Sequence, residues 1–408
     1  MSFLAISLSF KNTQELLRRF SSQRAVMLRG RHGIGKSEGV YQASAQRKVD
    51  FYKDADNCRR VSEALRNDSG FNRMLAAFWK KNDKNPAYAD LPRNVWHYDM
   101  GRPVVERRLS QMTEGDITGL PFEGCRGGTV FRSVEWLLAT CEFPCTLFLD
   151  ELNRAIKGVE QATFQLADSK AFDGNRLHAD TQVIVAVNLG DEYDVQSMDP
   201  AALSRYAVID LAPTVDEAIE YYAENCNGAL SEFIRANARY LEVEGTSEPN
   251  KKTPDRRAWF ALDSELTASG LYNTPESPVF LHMAASMVGF EAAAAYQNHC
   301  KDRASDITAE ELLANPWSKT EKRLPKDDSK RHLKFVDLHG KLEHLLKTHT
   351  LSPAEAKNLA GFVLAAPPEL LMVLWKTINL NNNIAVMHSH VAQRYVEVLG
   401  NQSGAKTG

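Results

Sequence analysis

Residues Gly30 to Ser37 read GRHGIGKS and fit the pattern G-x-x-x-x-G-K-[ST]. The apolar run Ala25 to Arg29 before them suits a buried strand, and Glu38 to Lys48 after them carry good helix formers. A strand, a glycine-rich turn and a helix in that order commit the chain to an α/β sheet. Gly30, Gly33 and Gly35 let the backbone bend until several N–H groups point at one anion. The helix opening at Lys36 adds the positive end of its dipole. An ammonium at Lys36 suits β- and γ-phosphates, and a hydroxyl at Ser37 suits Mg²⁺. The stretch Gly30, Arg31, His32, Gly33, Ile34, Gly35, Lys36, Ser37 and Glu38 is therefore a candidate nucleoside-triphosphate site.

A chain of 408 residues is long for one domain. Hydrophobic content of 43% and charged content of 25% fit a soluble globular protein. A net charge of −3 gives no global polybasic signature for nucleic acid or membrane, although a local basic groove needs few residues. The longest apolar region, Val279 to Tyr296, is interrupted by His282 and Glu291 and is too short to span a bilayer. The start, MSFLAISLSFKN, has no basic stretch and turns polar quickly, so no signal peptide is expected. Of six cysteines only Cys141 and Cys145 are close, and no histidine completes a zinc set, so buried reduced thiols of a cytosolic protein are expected.

Residues Pro144 to Glu151 (PCTLFLDE) read as a buried parallel strand ending in two acids. Ligands of open α/β sheets bind at the carboxyl ends of strands. There Asp150 can hold Mg²⁺ and Glu151 can polarise an attacking water. Gln182 to Val187 is a further buried strand, ending at Asn188, which can bond a γ-phosphate or orient water. Strands are also expected at Val95–Met100 and Ala207–Leu211, and a hairpin with an Asp-Gly turn at Phe172–Leu177. Asn12 to Phe20 and Val159 to Asp168 read as helices, and Asp199 to Tyr206 as a short one with Arg205 near its end. Leu120 and Phe122 lie in a turn-rich segment, either tucked in or exposed for a purpose. A polar insertion spans 50–93, with helical pieces and a lysine patch at Lys80, Lys81 and Lys84 that reads first as a solvated face.

From Thr214 onward the pattern is helical, including one helix over Phe280–Tyr296. Arg256 and Arg257 open a helix, and two cations at a helix N-terminus suit an anionic ligand. Trp317 to Lys334 is charged without apolar period and reads as a linker, followed by a small helical tail whose last helix runs to Leu399. The expected division is a nucleotide-binding core over 1–212, a helical lid over 213–316, a helical region over 317–400 and a disordered end over 401–408.

The phrases LFLDELNRA, GDITGLPF and MDPAALSRY resemble AAA+ ATPases of the MoxR/dynein-related branch, which includes cobalt-chelatase-type and phage-encoded ATPases. The resemblance covers roughly residues 10 to 315. It implies a parallel five-stranded core with a helical lid, ATP and Mg²⁺ as cofactors, and hydrolysis to ADP and phosphate. It assigns Lys36 and Ser37 to phosphate and Mg²⁺, Asp150 to the metal, Glu151 to catalysis and Asn188 to sensing the γ-phosphate. Arg205, or Arg154 in the ELNRA phrase, would be the finger reaching a neighbouring subunit. The lid arginine is Arg257 by its spacing to Trp259, with Arg256 the alternative, because an Asp intervenes after Pro254 where the family has P-R-x-W. The implied assembly is a homo-oligomeric ring, most often a hexamer, in the cytoplasm of a bacterium or phage-infected cell. The implied work is remodelling or loading a protein, with a von Willebrand factor A-type partner. Three rivals stand beside this: a nucleic-acid motor or replication factor on the same core, a module whose nucleotide is structural, and a GTP-using motor. No N-K-x-D-type signature favours guanine.

Overall fold

The computed structural model describes residues 6–189, 200–242, 252–305, 307–324 and 327–380, and the single residues 383, 387 and 391. The chain divides into two compact units, Met1–Leu271 with Ser277–Ala295, and Tyr272–Glu276 with Tyr296–Gly408.

The first unit is built on six parallel strands. In chain order they are β1 (Ile6–Leu8), β2 (Val26–Gly30), β3 (Val104–Arg108), β6 (Thr146–Asp150), β9 (Gln182–Asn188) and β10 (Ala207–Leu211), with two small hairpins, β4–β5 (Leu120–Glu123, Thr129–Arg132) and β7–β8 (Ala171–Phe172, Asn175–Arg176). Across the sheet the order is β1-β10-β2-β9-β6-β3. Strands β2, β6 and β9 read as near-continuous apolar runs because helices cover both faces, and every residue of β9 is buried. Register sets the site. Gly30 pairs with Asn188 and Arg108 with Asp150, so β2, β9, β6 and β3 all end on one edge. β2 feeds its helix there, while the next strand in sequence lies three places away. That reversal opens a crevice at the carboxyl ends.

The sheet has one strand more than the five expected. Ile6 pairs with Ile209 and Leu8 with Leu211 at the outer edge. Val95–Met100 is not a strand. Trp96 is buried, donating from its backbone to Ser62 Oγ (2.7 Å) and from Nε1 to the Gly101 carbonyl (3.1 Å). Tyr98–Met100 is a single 3₁₀ turn ended by Gly101 at φ 78°. The strand begins three residues later, at Val104.

The helix Phe10–Arg19 (α1) packs on the helix Lys36–Gln46 (α2). The insertion forms two helices, Ala55–Ala64 (α3) and Ser69–Asn82 (α4). It is not peripheral, since Val61, Leu65, Phe71 and Met74 belong to the same buried core as the sheet. Asp68 caps α4 through the Phe71 N–H (3.0 Å) and takes an ion pair from Arg107 of β3 (2.7 Å), so α4 covers what would be an open sheet edge. Lys80, Lys81 and Lys84 are exposed. Leu120 (74%) and Phe122 (55%) stand out on the β4–β5 hairpin.

After β10 the chain is helical: Val215–Asn225, Gly228–Ala236, Arg256–Ala268 and Pro278–Val288. A capping box of Thr214 and Glu217 starts the first of these, and Glu217 also accepts the N–H groups of Phe10 and Lys11. The single helix expected over 280–296 is broken. Gly289, at φ 82°, ends one helix and Phe290–Ser305 begins the next.

The second unit has its own core. Trp317, Phe335 and Phe362 form an aromatic cluster with centroids 5.2–5.8 Å apart. The stretch read as a linker is therefore structured: Trp317–Thr320 is helical and Asp328–Leu346 is a long helix. Its charges escape the apolar-period test because they pair outward, as Arg331 does with Glu321 (2.6 Å). Helices Pro353–Ala365 and Pro368–Ile378 follow as expected. The final helix and the end of the chain fall outside the described residues, apart from 383, 387 and 391. All six cysteines are free, but only Cys58, Cys145 and Cys300 are buried; Cys125 is exposed and Cys141 and Cys226 are half-buried. No helix among the described residues is long and apolar enough to cross a membrane.

Candidate active site

β2 delivers Gly30 to the sheet edge, and the loop closes so tightly that a Cβ on Gly30 would lie 2.4 Å from Ile34 Cδ1. Gly33 (φ 79°) and Gly35 (φ 98°) take left-handed conformations, the second acting as the N-cap of α2. Lys36 is the first helical residue and is buried. Its Nζ donates to the carbonyls of Gly30 and Arg31 and to Asn188 Oδ1, each at 2.8 Å. An ammonium has three protons, so all three have acceptors. Burial pulls the Lys36 amine down to about 8, with Arg257 acting in the same sense and Asp150 and Glu151 against it.

Asn188 ends β9 and meets Lys36 through its side chain. Its backbone is gripped by Asn153, whose Nδ2 donates to the Asn188 carbonyl (3.0 Å) and whose Oδ1 accepts the Asn188 N–H (3.4 Å). Sequence reasoning missed Asn153. Its signal was weak: a polar residue two places after Glu151 that the fold buries.

Asp150 ends β6 and its Oδ1 accepts the Glu151 N–H (2.9 Å). Burial raises the Asp150 carboxyl above its usual range, against the Glu151 N–H bond and Lys36. Glu151 sits at φ 59°. A non-glycine residue held there stores on the order of 1–3 kcal/mol, which the surroundings must impose. Its carboxylate accepts a hydrogen bond from Ser110 Oγ, and Arg154 Nη1 is 3.9 Å away. Ser110, two residues past the end of β3, is the second residue the sequence did not single out.

The helix Arg256–Ala268 brings its N-terminus to the loop. Asp255 caps it through the Ala258 N–H (2.8 Å), which offsets the two cations that follow. The two arginines separate. Arg256 is held by Glu242 (2.9 Å) and the carbonyls of Pro213 and Thr214. Arg257 faces the phosphate loop, with Nη1 3.2 Å from His32 Nε2. Burial lowers the His32 pKa, and Arg257 and Lys36 lower it further.

These groups border one cavity of about 630 Å³, within the size range of small-molecule sites. Lys36, Ser37, Asp150, Glu151, Asn188 and Arg257 all line it. Phe10, Tyr221 and Phe260 add aromatic walls to it; a Cβ on Gly35 would lie 3.3 Å from the Phe10 ring. An ammonium and left-handed glycines beside a helix N-terminus fit a polyphosphate. The Ser37 hydroxyl and the Asp150 carboxylate offer the oxygen donors that Mg²⁺ prefers. Arg154 and Arg205 do not line the cavity; Arg205 Nε is 3.9 Å from Asp168 Oδ2, and its guanidinium lies 5.7 Å from the Phe164 ring centroid.

Fold and site together are those of a mixed α/β protein with a glycine-rich loop at the carboxyl edge of a parallel sheet. No family model and no curated protein matches the chain. Among solved structures it is similar to the crystal structure of a full-length MCM homolog from Methanopyrus kandleri, at 16% identity and a TM-score of 0.27, covering 71% of this chain. The match spans 53% of that protein's length.

Proposed function

We propose that this chain is a Mg²⁺-dependent ATPase of the AAA+ type, similar to the MoxR branch, which works as a ring and remodels or loads a protein partner. The reading is carried by the convergence of Lys36, Asp150, Glu151, Asn188 and Arg257 on one cavity from four separated chain segments. Lys36, the loop N–H groups and Arg257 bind the phosphate chain. Asn188, fixed by Asn153, stands beside Lys36 at the γ-phosphate end. The carboxylate of Glu151, oriented by Ser110, takes the proton of the attacking water. Ser37 and Asp150 would hold Mg²⁺, which would neutralise phosphate charge. The aromatic side chains of Tyr221 and Phe260 offer apolar surface for the base.

The positions of Arg154 and Arg205 outside their own chain's cavity support action on a neighbour's nucleotide, and hence a ring. The β4–β5 hairpin, with Leu120, Phe122, Val130 and Phe131 exposed, supports work on a protein partner.

Glu151→Gln tests the reading through phosphate release and bound nucleotide. ATP stays bound while turnover falls by about 100-fold or more, the range of a general base. Lys36→Ala loses ATP binding. Lys36→Ala protein with wild-type ATP affinity would sink the proposal.

A further inference from the structure

One cation reaches the cavity from outside the sheet and its following helices. Arg73 lies one turn into α4, in the insertion, and borders the cavity together with Glu38. Its Nη2 donates to Glu38 Oε2 (2.8 Å), and its guanidinium lies 4.1 Å from the centroid of the Tyr41 ring. Tyr41 in turn donates to Glu106 Oε2 (2.6 Å), another cavity residue. Glu38 follows Ser37 directly. Tyr41 is four residues beyond Ser37, so the two share a face of α2 with Cβ atoms about 5–6 Å apart. The guanidinium and Ser37 border the same cavity.

Its supports are firm at the other end too. Asp68 and Arg107 fasten the start of α4 to β3. Gly70 brings the helix so close that a Cβ there would meet the Val104 carbonyl at 2.6 Å. A guanidinium presents five N–H donors in a fixed plane. Among the described residues its hydrogen bond to protein is the one to Glu38, made through Nη2. The remaining donors are left for a ligand or solvent. A surface ion pair alone needs neither the stacking on Tyr41 nor the anchored helix.

We propose that Arg73 is a phosphate-contacting residue of the nucleotide site, supplied in cis by the insertion, so that residues 50–93 are a working part of that site. This rests on the nucleotide reading above. Arg73 donates to an oxygen of the phosphate chain on the Ser37 side while Tyr41 and Glu38 fix its plane. Charge-assisted bonds of this kind are the strong ones, and Lys keeps the charge without the fork.

The test compares Mg²⁺-ATP and AMP affinities of the full-length wild type, Arg73→Ala and Arg73→Lys, with the melting temperature of each ligand-free protein. Arg73→Ala weakens ATP binding by about tenfold or more, Arg73→Lys recovers part of it, and AMP affinity changes far less. Added salt narrows the gap between wild type and Arg73→Ala. Where Arg73→Ala melts early, Arg73→Met, which keeps the packing on Tyr41, takes its place in the same comparison. Wild-type ATP affinity in the variant, or equal losses for ATP and AMP, overturns the proposal and leaves the nucleotide site standing. A wild-type protein that binds neither nucleotide overturns the nucleotide reading itself, and this inference with it.

Discussion

At Lys36 a charge is kept in a buried place by three acceptors, yet burial brings its pKa down to about 8. The ammonium is therefore charged below about pH 8 and is lost above it in the ligand-free protein. A bound polyphosphate favours the charged form, so binding above that pH takes up a proton. ATP affinity should be flat on the acid side of pH 8 and fall by up to about tenfold per pH unit on the alkaline side. The ligand-free fold responds with the opposite sign. Between about pH 8 and the ordinary lysine value the unfolded chain holds the proton that the folded one has released, so Lys36's own contribution to stability rises with pH. Calorimetric titration with ATP from pH 6.5 to 9.5, beside thermal melts of the free protein, separates the two. A pH-independent ATP affinity would remove Lys36's charge from the account of binding.

At the scale of elements, the contact of α4 with β3 holds the insertion to the core. A methyl on Gly70 would lie 2.6 Å from the Val104 carbonyl, 3.0 Å from the Tyr41 hydroxyl and 3.2 Å from the Glu106 N–H. Alanine favours a helix by up to about 1 kcal/mol, but strand backbone cannot give way cheaply. Gly70→Ala should destabilise by about 1–3 kcal/mol, read as a lower denaturation midpoint; a stabilised variant would mean that α4 sits loosely on β3. The same elements explain what could be read from sequence. The glycine loop, β6 and β9 are local patterns, an octapeptide and two apolar runs ending in polar residues, and they are legible. β3 is not, because Val-Val-Glu-Arg-Arg turns three of its five side chains to the cavity and to the insertion, so its pattern dissolves. Val95–Met100 imitates a strand by alternation, but its backbone turns through Tyr98–Met100 and reverses at Gly101, at φ 78°. Gly289 looks like one small residue in an apolar helix, and only its positive φ breaks it. Ser110, Asn153 and Arg73 are ordinary polar residues in sequence; their partners Glu151, Asn188 and Glu38 lie 41, 35 and 35 positions away. No local rule reaches that far.

At the scale of the whole molecule, the proposed ring divides each active site between two chains. The chain's own cavity holds Glu151 but neither Arg205 nor Arg154. If Arg205 serves the neighbour, its loss spares the site on the same chain and disables the next one. Arg205→Ala should bind ATP like the wild type and hydrolyse it about 10³-fold more slowly, the lower range for an arginine finger. Glu151→Gln has the complementary defect, with a dead site and an intact finger. Mixed in equal amounts, the two inactive proteins should regain turnover, because an Arg205→Ala site then meets the arginine of a Glu151→Gln neighbour. Phosphate release from the mixture, with co-assembly shown by size, measures this directly. Assembly without recovered turnover would confine Arg205 to its own chain, beside Asp168 and Phe164, and would pass the same test to Arg154.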